Sequence, residues 1–326
     1  MVVTEYPVES TIGAIYQHYE DTREDWRRPH LGASQIGKPC PRALWYQFRW
    51  CLAPSFPGRV LRLFDTGNLE EERIVRDLRN VGVEVYDRDP DDPDKQIRYS
   101  DPNCGGHFSG SLDGVGIGIK AAPKTWHVLE FKTSNTRIFR EMETSGVLSV
   151  KPEHYAQIQC YLNWSGLRNA YYVMVCKETD EMYDERIDYD PETAKLLSER
   201  AHEIIFASAP PEKMHPCSDG PECRYCDYKS LCKGECFPEI NCRTCVYLKP
   251  LIMDGKSRWG CDKRDMLITE NGQKDEHCPY HIFIPALMPI DVVNSAPDED
   301  GVITYVDGTR NGRGNLSIRK WKELYS

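Results

Sequence analysis

Residues 107–133, HFSGSLDGVGIGIKAAPKTWHVLEFKT, decide the fold. Two runs that are typical of β-strands, 107–119 and 125–133, flank the segment KAAPK. Its proline and small residues favour a turn. We therefore predict that these residues form an antiparallel hairpin, and that the hairpin lies at the centre of the protein.

The predicted hairpin brings charged side chains together. If it folds symmetrically about Ala121 and Ala122, Asp113 and Glu130 lie opposite each other, with Cβ atoms about 5 Å apart. Lys132 shares the face of Glu130, because side chains two residues apart on a strand point the same way. Two carboxylates this close repel each other unless a cation or a shared proton lies between them. The pattern indicates a divalent metal site, although a solvated ion pair beside an Asp-Gly turn would use the same residues.

The composition is that of a folded protein of the cell interior. The chain has 326 residues, of which 28% are charged and 40% hydrophobic. No apolar run approaches the roughly 20 residues that span a bilayer, and the N-terminus has no export signal. We therefore expect a cytoplasmic protein without a membrane partner. In a reducing compartment, its 14 cysteines are expected to be metal ligands or buried thiols rather than disulfides.

Helical and strand patterns alternate along the first two thirds of the chain. Helices are predicted at about 9–20, after Cys40, and at about 66–80, 135–145, 152–164 and 191–207; further strands are predicted at about 81–87, 169–176 and 182–190. This order predicts an α/β fold with a mixed central sheet flanked by helices.

A basic segment precedes the central hairpin. Residues 26–64 contain no Asp or Glu but seven Arg and Lys residues. Four aromatic residues are interleaved with these cations: Trp45, Tyr46, Phe48 and Trp50. Cations beside stacking surfaces would suit a single-stranded nucleic acid. The other interpretation is a helix whose aromatic side belongs to the core, and the sequence leaves both open.

Two predicted helices carry further candidate site residues. Glu71 could complete the coordination of a metal held by the hairpin, and Glu70 is the competing choice. Gln157 and Tyr161 are four residues apart and therefore share one face of a helix. An amide and a phenol that project together can hydrogen-bond a phosphate or a base edge.

Nine of the cysteines lie between residues 217 and 278, and seven of these form two sets; Cys217 and Cys236 belong to neither. In the first set, Cys223, Cys226 and Cys232 are closely spaced, and Cys40 is the leading candidate for a fourth ligand. Their spacing does not distinguish zinc from an iron-sulfur cluster. The second set is spaced like a zinc ribbon, with His281 as a substitute ligand; its members are Cys242, Cys245, Cys261 and Cys278.

The second set predicts a small cysteine-rich, metal-binding C-terminal module at residues 236–292. A tail follows at 293–326, with a possible strand at 301–306 and a last part that we expect to be mobile.

Four motifs, taken in order, resemble the PD-(D/E)xK nuclease superfamily, specifically its RecB-like branch. They are Gly67-x-x-x-Glu71, GSLDG around Asp113, LEFK around Glu130 and Lys132, and Gln157-x-x-x-Tyr161. Cys40 and the first cysteine set resemble the iron-sulfur staple of CRISPR-associated RecB-like and AddB nuclease domains. The resemblance covers about residues 30–235.

This resemblance implies a restriction-endonuclease-like core within residues 1–235. It implies Mg²⁺ or Mn²⁺ held by Asp113, Glu130 and the backbone carbonyl of Phe131. Glu71 stands as a further metal ligand where many members have histidine. It also implies a [4Fe-4S] cluster on the first cysteine set, and catalytic roles for three further residues: Lys132, Gln157 and Tyr161.

The expected function is a metal-dependent DNA exonuclease that acts on single strands or duplex ends. Recombination, repair and phage DNA processing are the expected settings, and proteins of recombination, replication or CRISPR adaptation are candidate partners. The alternative is a noncatalytic DNA-binding or adaptor protein with a structural iron-sulfur cluster. An electron-transfer protein is disfavoured, because the sequence has no flavin fingerprint.

Overall fold

A computed structural model describes residues 10–288, except 24, 26 and 217–218, together with 291–292, 305–306 and 312–313. The helices are α1 (Thr11–Asp21), α2 (Ala33–Ile36), α3 (Pro41–Phe48), α4 (Gly58–Asn80), α5 (Thr136–Val150), α6 (Pro152–Ser165), α7 (Pro191–Phe206) and α8 (Lys229–Lys233). The strands are β1 (Leu31–Gly32), β2 (Glu84–Tyr86), β3 (Arg98–Ser100), β4 (Phe108–Ser111), β5 (Gly114–Ile117), β6 (His127–Ser134), β7 (Asn169–Cys176), β8 (Met182–Asp188), β9 (Leu248–Met253), β10 (Lys256–Cys261), β11 (Met266–Leu267), β12 (Asp291–Val292), β13 (Tyr305–Val306) and β14 (Gly312–Arg313).

Contacts group the chain into two units. The first unit comprises residues 1–27, 54–99 and 110–195, and the second comprises 28–53, 100–109 and 196–326. The division into residues 1–235, 236–292 and 293–326 stays a prediction.

A five-stranded mixed sheet forms the first unit, in the order β2-β5-β6-β7-β8. Strands β6 and β7 are parallel, and the other neighbours are antiparallel. Leu129 and Phe131 of β6 pack in one hydrophobic cluster with Ile74 of α4. Glu130 and Lys132 point to the opposite face, because side chains alternate along a strand. Helices α4 and α6 both contact β6, so the predicted α/β fold with a mixed sheet and flanking helices is confirmed.

The central hairpin has the predicted register but a shorter first strand. Gly114 pairs with Leu129 and Gly116 with His127, and one further step of this register sets Asp113 opposite Glu130. The prediction of one continuous strand at 107–119 is wrong.

The chain leaves that strand at Leu112 and Asp113, and Phe108 in β4 pairs instead with Leu31 in β1. The Asp113 side chain accepts the Phe131 N–H at 2.7 Å. The Asp113 carboxylate thus accepts a backbone N–H next to the last residue pair of the ladder, Gly114 with Leu129, and the regular pairing ends there.

Helix α4 begins at Gly58, eight residues before the predicted start at Thr66. The Gly58 N–H donates to the Glu20 carboxylate of α1 at 2.6 Å. A free N–H at a helix start needs an acceptor, and here it comes from a residue 38 positions earlier in the chain. A local sequence pattern does not reveal such a cap. Strand β2 is also shorter than the predicted 81–87.

Aromatic residues of the basic segment lie in the core of the second unit. Trp45, Tyr46, Phe48 and Trp50 are each at most 1% exposed. The interpretation of these four side chains as stacking surfaces for a nucleic acid is therefore wrong, and the core interpretation is confirmed. Trp259 of β10 is also buried and lies with its ring centroid 5.3 Å from that of Phe48.

The cysteine-rich part of the second unit contains an antiparallel sheet in the order β11-β10-β9. The possible strand at 301–306 is described only at its last two residues, which form β13. Most of the predicted mobile tail lies outside the described residues. Among the described helices, none is both long and apolar enough to cross a membrane.

Replacement of Ile74 by Ala should lower the free energy of unfolding by about 2–5 kcal/mol, because Ile74 is 1% exposed and the smaller side chain leaves a cavity. Leu69→Ala on the same helix is the matched control: Leu69 is 61% exposed, so a change within about 0.5 kcal/mol is expected. Urea denaturation measures the free energy of unfolding of both variants. Equal losses would contradict the packing of α4 on the sheet.

Candidate functional site

Three charged side chains meet where β5 and β6 pair. Asp113 directly precedes β5, and Glu130 and Lys132 share one face of β6. The side chains of Asp113, Glu130 and Lys132 are 11%, 0% and 24% exposed. The Lys132 ammonium donates to Glu130 Oε1 and, at 3.0 Å, to the Phe131 carbonyl oxygen. It also lies 3.9 Å from Asp113 Oδ2.

Burial raises the pKa values of the site's carboxyl groups, so they lose their protons less readily than carboxyl groups in water. Burial and the nearby Asp113 charge together raise the pKa of Glu130 to about 8, although the Lys132 ammonium opposes the change. Burial also raises the pKa of Asp113. At Glu71 of α4, burial and the Asp113 charge raise the pKa to about 7. Glu71, Asp113 and Glu130 therefore form one electrostatically linked group.

The donor set is suitable for a hard divalent cation. Glu130 Oε2 is buried and has no hydrogen-bond partner. Glu130, Asp113 and the Phe131 carbonyl already surround one cation, the Lys132 ammonium. Oxygen donors of these kinds are those that Mg²⁺ and Mn²⁺ prefer. Within the described residues, no group of three or more His, Cys, Asp or Glu side chains is arranged to hold a metal ion as it stands.

The competing residue Glu70 has a different environment. Its carboxylate lies 3.5 Å from Arg73 on the same helix. Glu71, in contrast, lines the same cavity as Asp113. The geometry therefore favours Glu71 over Glu70 as the further ligand.

A cavity of about 390 Å³ adjoins the carboxylates. Its lining residues are Asn68, Glu71, Glu72, Val75, Asp87, Arg88, Asp94, Gln96 and Asp113. Five of them are acidic and one is basic, so the cavity would repel a phosphate unless cations were bound there. The cavity wall formed by residues from 87 to 96 was not predicted. The sequence feature that could have indicated this wall is the acidic, proline-rich link before the hairpin.

Gln157 and Tyr161 lie close together, as the helical spacing predicted, but both are buried. Gln157 Nε2 donates to the Tyr161 hydroxyl at 3.2 Å, and this hydroxyl donates to the Ser111 carbonyl at 2.7 Å. Ser111 is two residues before Asp113, so the pair holds the backbone that leads to this carboxylate. A contact of either side chain with DNA stays a prediction.

Tyr172 and His154 lie near the site but were not predicted to belong to it. Tyr172 of β7 is the register neighbour of Glu130, and its hydroxyl lies 3.0 Å from His154 Nδ1 of α6. Burial and the nearby Lys132 charge lower the pKa of His154 to about 3, so its ring is neutral at pH 7. Tyr172 sits at an alternate position of a buried strand, which could have indicated that it shares the site's face.

The first cysteine set lines one small cavity in the second unit. Cys40, Cys223, Cys226 and Cys232 surround about 20 Å³, and none of the four is in a disulfide. Burial raises the pKa of the Cys226 thiol, to which the Cys40 and Cys223 thiols also contribute. Three cationic side chains line the same cavity: Arg42, Lys213 and Lys229. The structure thus places Cys40 with the three cysteines that follow residue 220.

The second cysteine set lines another cavity of about 20 Å³, together with His281. Both sets are brought together around separate cavities, as their grouping in the sequence predicted. Metal binding by each set, and the identity of each metal, stay predictions.

No protein-family model matches the chain, and no curated protein matches its sequence. Among solved structures, the chain is similar to LHK-Exo in complex with dAMP, with 18% identity and a TM-score of 0.41 over 55% of this chain and 87% of that chain. It is also similar to SSO0001, with 15% identity and a TM-score of 0.40 over 69% and 95% of the two chains. A third similar structure is an alkaline exonuclease (LHK-Exo) from Laribacter hongkongensis, with 16% identity and a TM-score of 0.40 over 58% and 90%. Likenesses of this size do not decide a function.

The raised pKa of Glu130 predicts a pH-dependent stability. The folded protein holds a proton on Glu130 that the unfolded chain loses, so stability falls as the pH rises from about 4.5 to about 8. Glu130→Gln cannot ionise. In the presence of a chelator, the melting temperature of this variant should equal that of the parent near pH 5 and exceed it at pH 8.

Glu72→Gln is the control, because this carboxylate lines the same cavity but is exposed. Its melting temperature should follow that of the parent at both pH values. A Glu130→Gln variant that is less stable than the parent at pH 8 would contradict the assignment.

Proposed function

We propose that this protein is a metal-dependent deoxyribonuclease that acts as an exonuclease on single-stranded DNA or duplex ends. The observation that carries the proposal is the buried group of Asp113, Glu130 and Lys132 beside an anionic cavity. Buried carboxylates with perturbed pKa values in a cleft are typical of reactive sites. An anionic cavity that is to receive phosphate also needs bound cations, which this donor set suits.

Asp113, Glu130 and the Phe131 carbonyl would hold Mg²⁺ or Mn²⁺, with Glu71 as a further ligand from α4. Such a cation lowers the pKa of a nearby water and offsets negative charge on the phosphate oxygens. Lys132 would then direct its ammonium at the charge that develops during phosphodiester hydrolysis. Arg88 adds a cation to the cavity wall and would contact a neighbouring phosphate.

The surrounding residues fix the position of these groups. The Phe131 N–H orients the Asp113 carboxylate at 2.7 Å. The Tyr161 hydroxyl, itself hydrogen-bonded to Gln157, holds the Ser111 carbonyl and so the backbone before Asp113. Preorganised groups of this kind keep reacting atoms within the small tolerance that catalysis needs.

We also infer that the first cysteine set holds a [4Fe-4S] cluster. Four cysteines that are not in disulfides line one cavity and supply a suitable donor set. The three cations that line this cavity would offset the negative charge of a thiolate-bound cluster. The cluster would join the start of α3 to residues 223–232 within the second unit.

Recombination, repair or phage DNA processing is the proposed setting. The alternative, a noncatalytic DNA-binding or adaptor protein, would need no buried carboxylate group beside an open cavity. The nuclease proposal therefore has the stronger support.

Asp113→Asn and Lys132→Met should each lower the rate of digestion of end-labelled linear DNA by at least about a hundredfold. The first change removes a cation ligand and the second removes the ammonium. The assay uses single- and double-stranded substrates with Mg²⁺ or Mn²⁺, and a closed circular DNA that an exonuclease should leave intact.

Two adjacent glutamates provide matched variants for the same assay. Glu71→Gln should lower the rate, whereas Glu70→Gln should leave it unchanged, because only Glu71 among the two lines the cavity. Asp113→Asn protein that digests DNA as fast as the parent would refute the nuclease proposal. If the parent bound DNA but did not digest it, the adaptor alternative would replace it.

Anaerobically purified protein should contain iron and absorb broadly in the visible region. Cys226→Ser should lose both the iron and the absorption, because it removes one of the four thiols. Cys236→Ser should keep them, since Cys236 does not line this cavity and its thiol lies 3.4 Å from Ser230 Oγ. Loss of zinc rather than iron from Cys226→Ser would show that the site is a zinc site.

A further inference from the structure

Four thiols from three separate segments line the second cysteine cavity. They belong to Cys242, Cys245, Cys261 and Cys278. None of them is in a disulfide, although the cavity they share measures only about 20 Å³. This volume is close to what a single water molecule needs, and four thiols are the number of donors that a structural zinc site uses.

Local structure explains how the thiols meet. Asn241 caps the short helix Cys242–Thr244, and the Cys245 N–H closes the turn on the Cys242 carbonyl at 3.0 Å. The antiparallel pairing of β9 and β10 sets Cys261 opposite Leu248, close to Cys245 in the chain. A bridge between Cys245 and Phe283 brings in the segment that carries Cys278.

His281 also lines the cavity but is engaged elsewhere. Its Nε2 lies 3.0 Å from the Asn241 carbonyl oxygen and therefore carries the hydrogen of this bond. Its Nδ1 is buried without a hydrogen-bond partner. The ring thus holds the capping residue of the turn, and the four thiols suffice as ligands.

The turn between the first two cysteines places a buried guanidinium in the core. Arg243 is 0% exposed and donates to the carbonyls of Phe48 and Pro29, at 2.8 and 2.9 Å, and to Gln273 at 2.8 Å. Its Cζ lies 3.7, 4.5 and 5.3 Å from three ring centroids, those of Trp50, Trp259 and Phe48.

The contacts of Arg243 depend on the position of the backbone between Cys242 and Cys245. A guanidinium is costly to remove from water, and the cost is offset only when its hydrogen bonds and aromatic contacts have good geometry. Arg243 directly follows Cys242 and is two residues before Cys245. A metal ion bound to both thiols would fix the backbone on either side of Arg243.

We propose that the second cysteine set binds one zinc ion, and that this ion holds Arg243 in the aromatic pocket of Trp50, Trp259 and Phe48. The thiols would lose their protons and move together around the ion, since they are not arranged to hold it as they stand. The zinc site is structural and independent of the nuclease proposal.

Metal analysis of the purified full chain tests the site. The parent should contain one equivalent of zinc that Cys242→Ser and Cys261→Ser lose, while their iron content is unchanged. Cys236→Ser is the matched control and should keep the zinc, because its thiol does not line this cavity. If a serine variant fails to fold, Co²⁺ substituted into the parent should give thiolate-to-cobalt absorption.

Tryptophan fluorescence tests the link to Arg243. Removal of zinc by a chelator should change the emission of the parent, and this change should shrink in Trp259→Phe, which lacks one wall of the pocket. Trp126→Phe is the control: this side chain is 42% exposed and lies in the first unit, so its loss should leave the change intact. Arg243→Met should keep the zinc but melt at a lower temperature.

Three results would overturn the proposal. They are an equal zinc content in Cys242→Ser and the parent, iron rather than zinc lost from that variant, and an emission change that is the same in Trp259→Phe as in Trp126→Phe. The first two would reject the zinc site, and the third would reject its link to the pocket.

Discussion

The geometry of the candidate site depends on the hydrogen bond between the Phe131 N–H and the Asp113 carboxylate. This bond takes a backbone donor beside the last rung of the β5-β6 ladder, so the strand pairing stops at Asp113. It also orients the carboxylate that lines the cavity. One interaction therefore lies where a strand ends and positions a candidate metal ligand. The break in the strand is part of the candidate site.

The two faces of β6 have opposite roles. Leu129 and Phe131 pack in the hydrophobic cluster with α4, which fixes the strand. Glu130 lies between them in the sequence and is therefore forced into a buried position on the other face. The register places Tyr172 beside it, and the Lys132 ammonium compensates part of its charge. The packing of the hydrophobic face thus fixes the direction in which the carboxylate points.

Local pattern was enough to predict the register of the hairpin, because its turn and its alternation both depend on neighbouring residues. It was not enough where distant residues decide. Glu20 caps α4 at Gly58, and Arg243 packs against Trp50, 193 positions away in the numbering. The aromatic residues after Cys40 therefore look equally suitable for a surface or a core until this arginine is placed. For the same reason, the sequence of the acidic link at 87–96 is typical of a connecting loop, although residues of this link form a cavity wall.

The two units accommodate buried charge differently, and the difference separates reactivity from structure. In the second unit, Arg243 is enclosed by aromatic rings and donates to carbonyl and amide oxygens, so its charge is satisfied within a closed core. In the first unit, Glu130 keeps one oxygen without a partner, and neighbouring Asp113 and Glu71 line an open cavity. A charge that is fully satisfied resists change, whereas an incompletely satisfied carboxylate favours the arrival of a cation. The same free energy that makes this carboxylate group unfavourable without a cation would therefore favour cation binding beside the cavity.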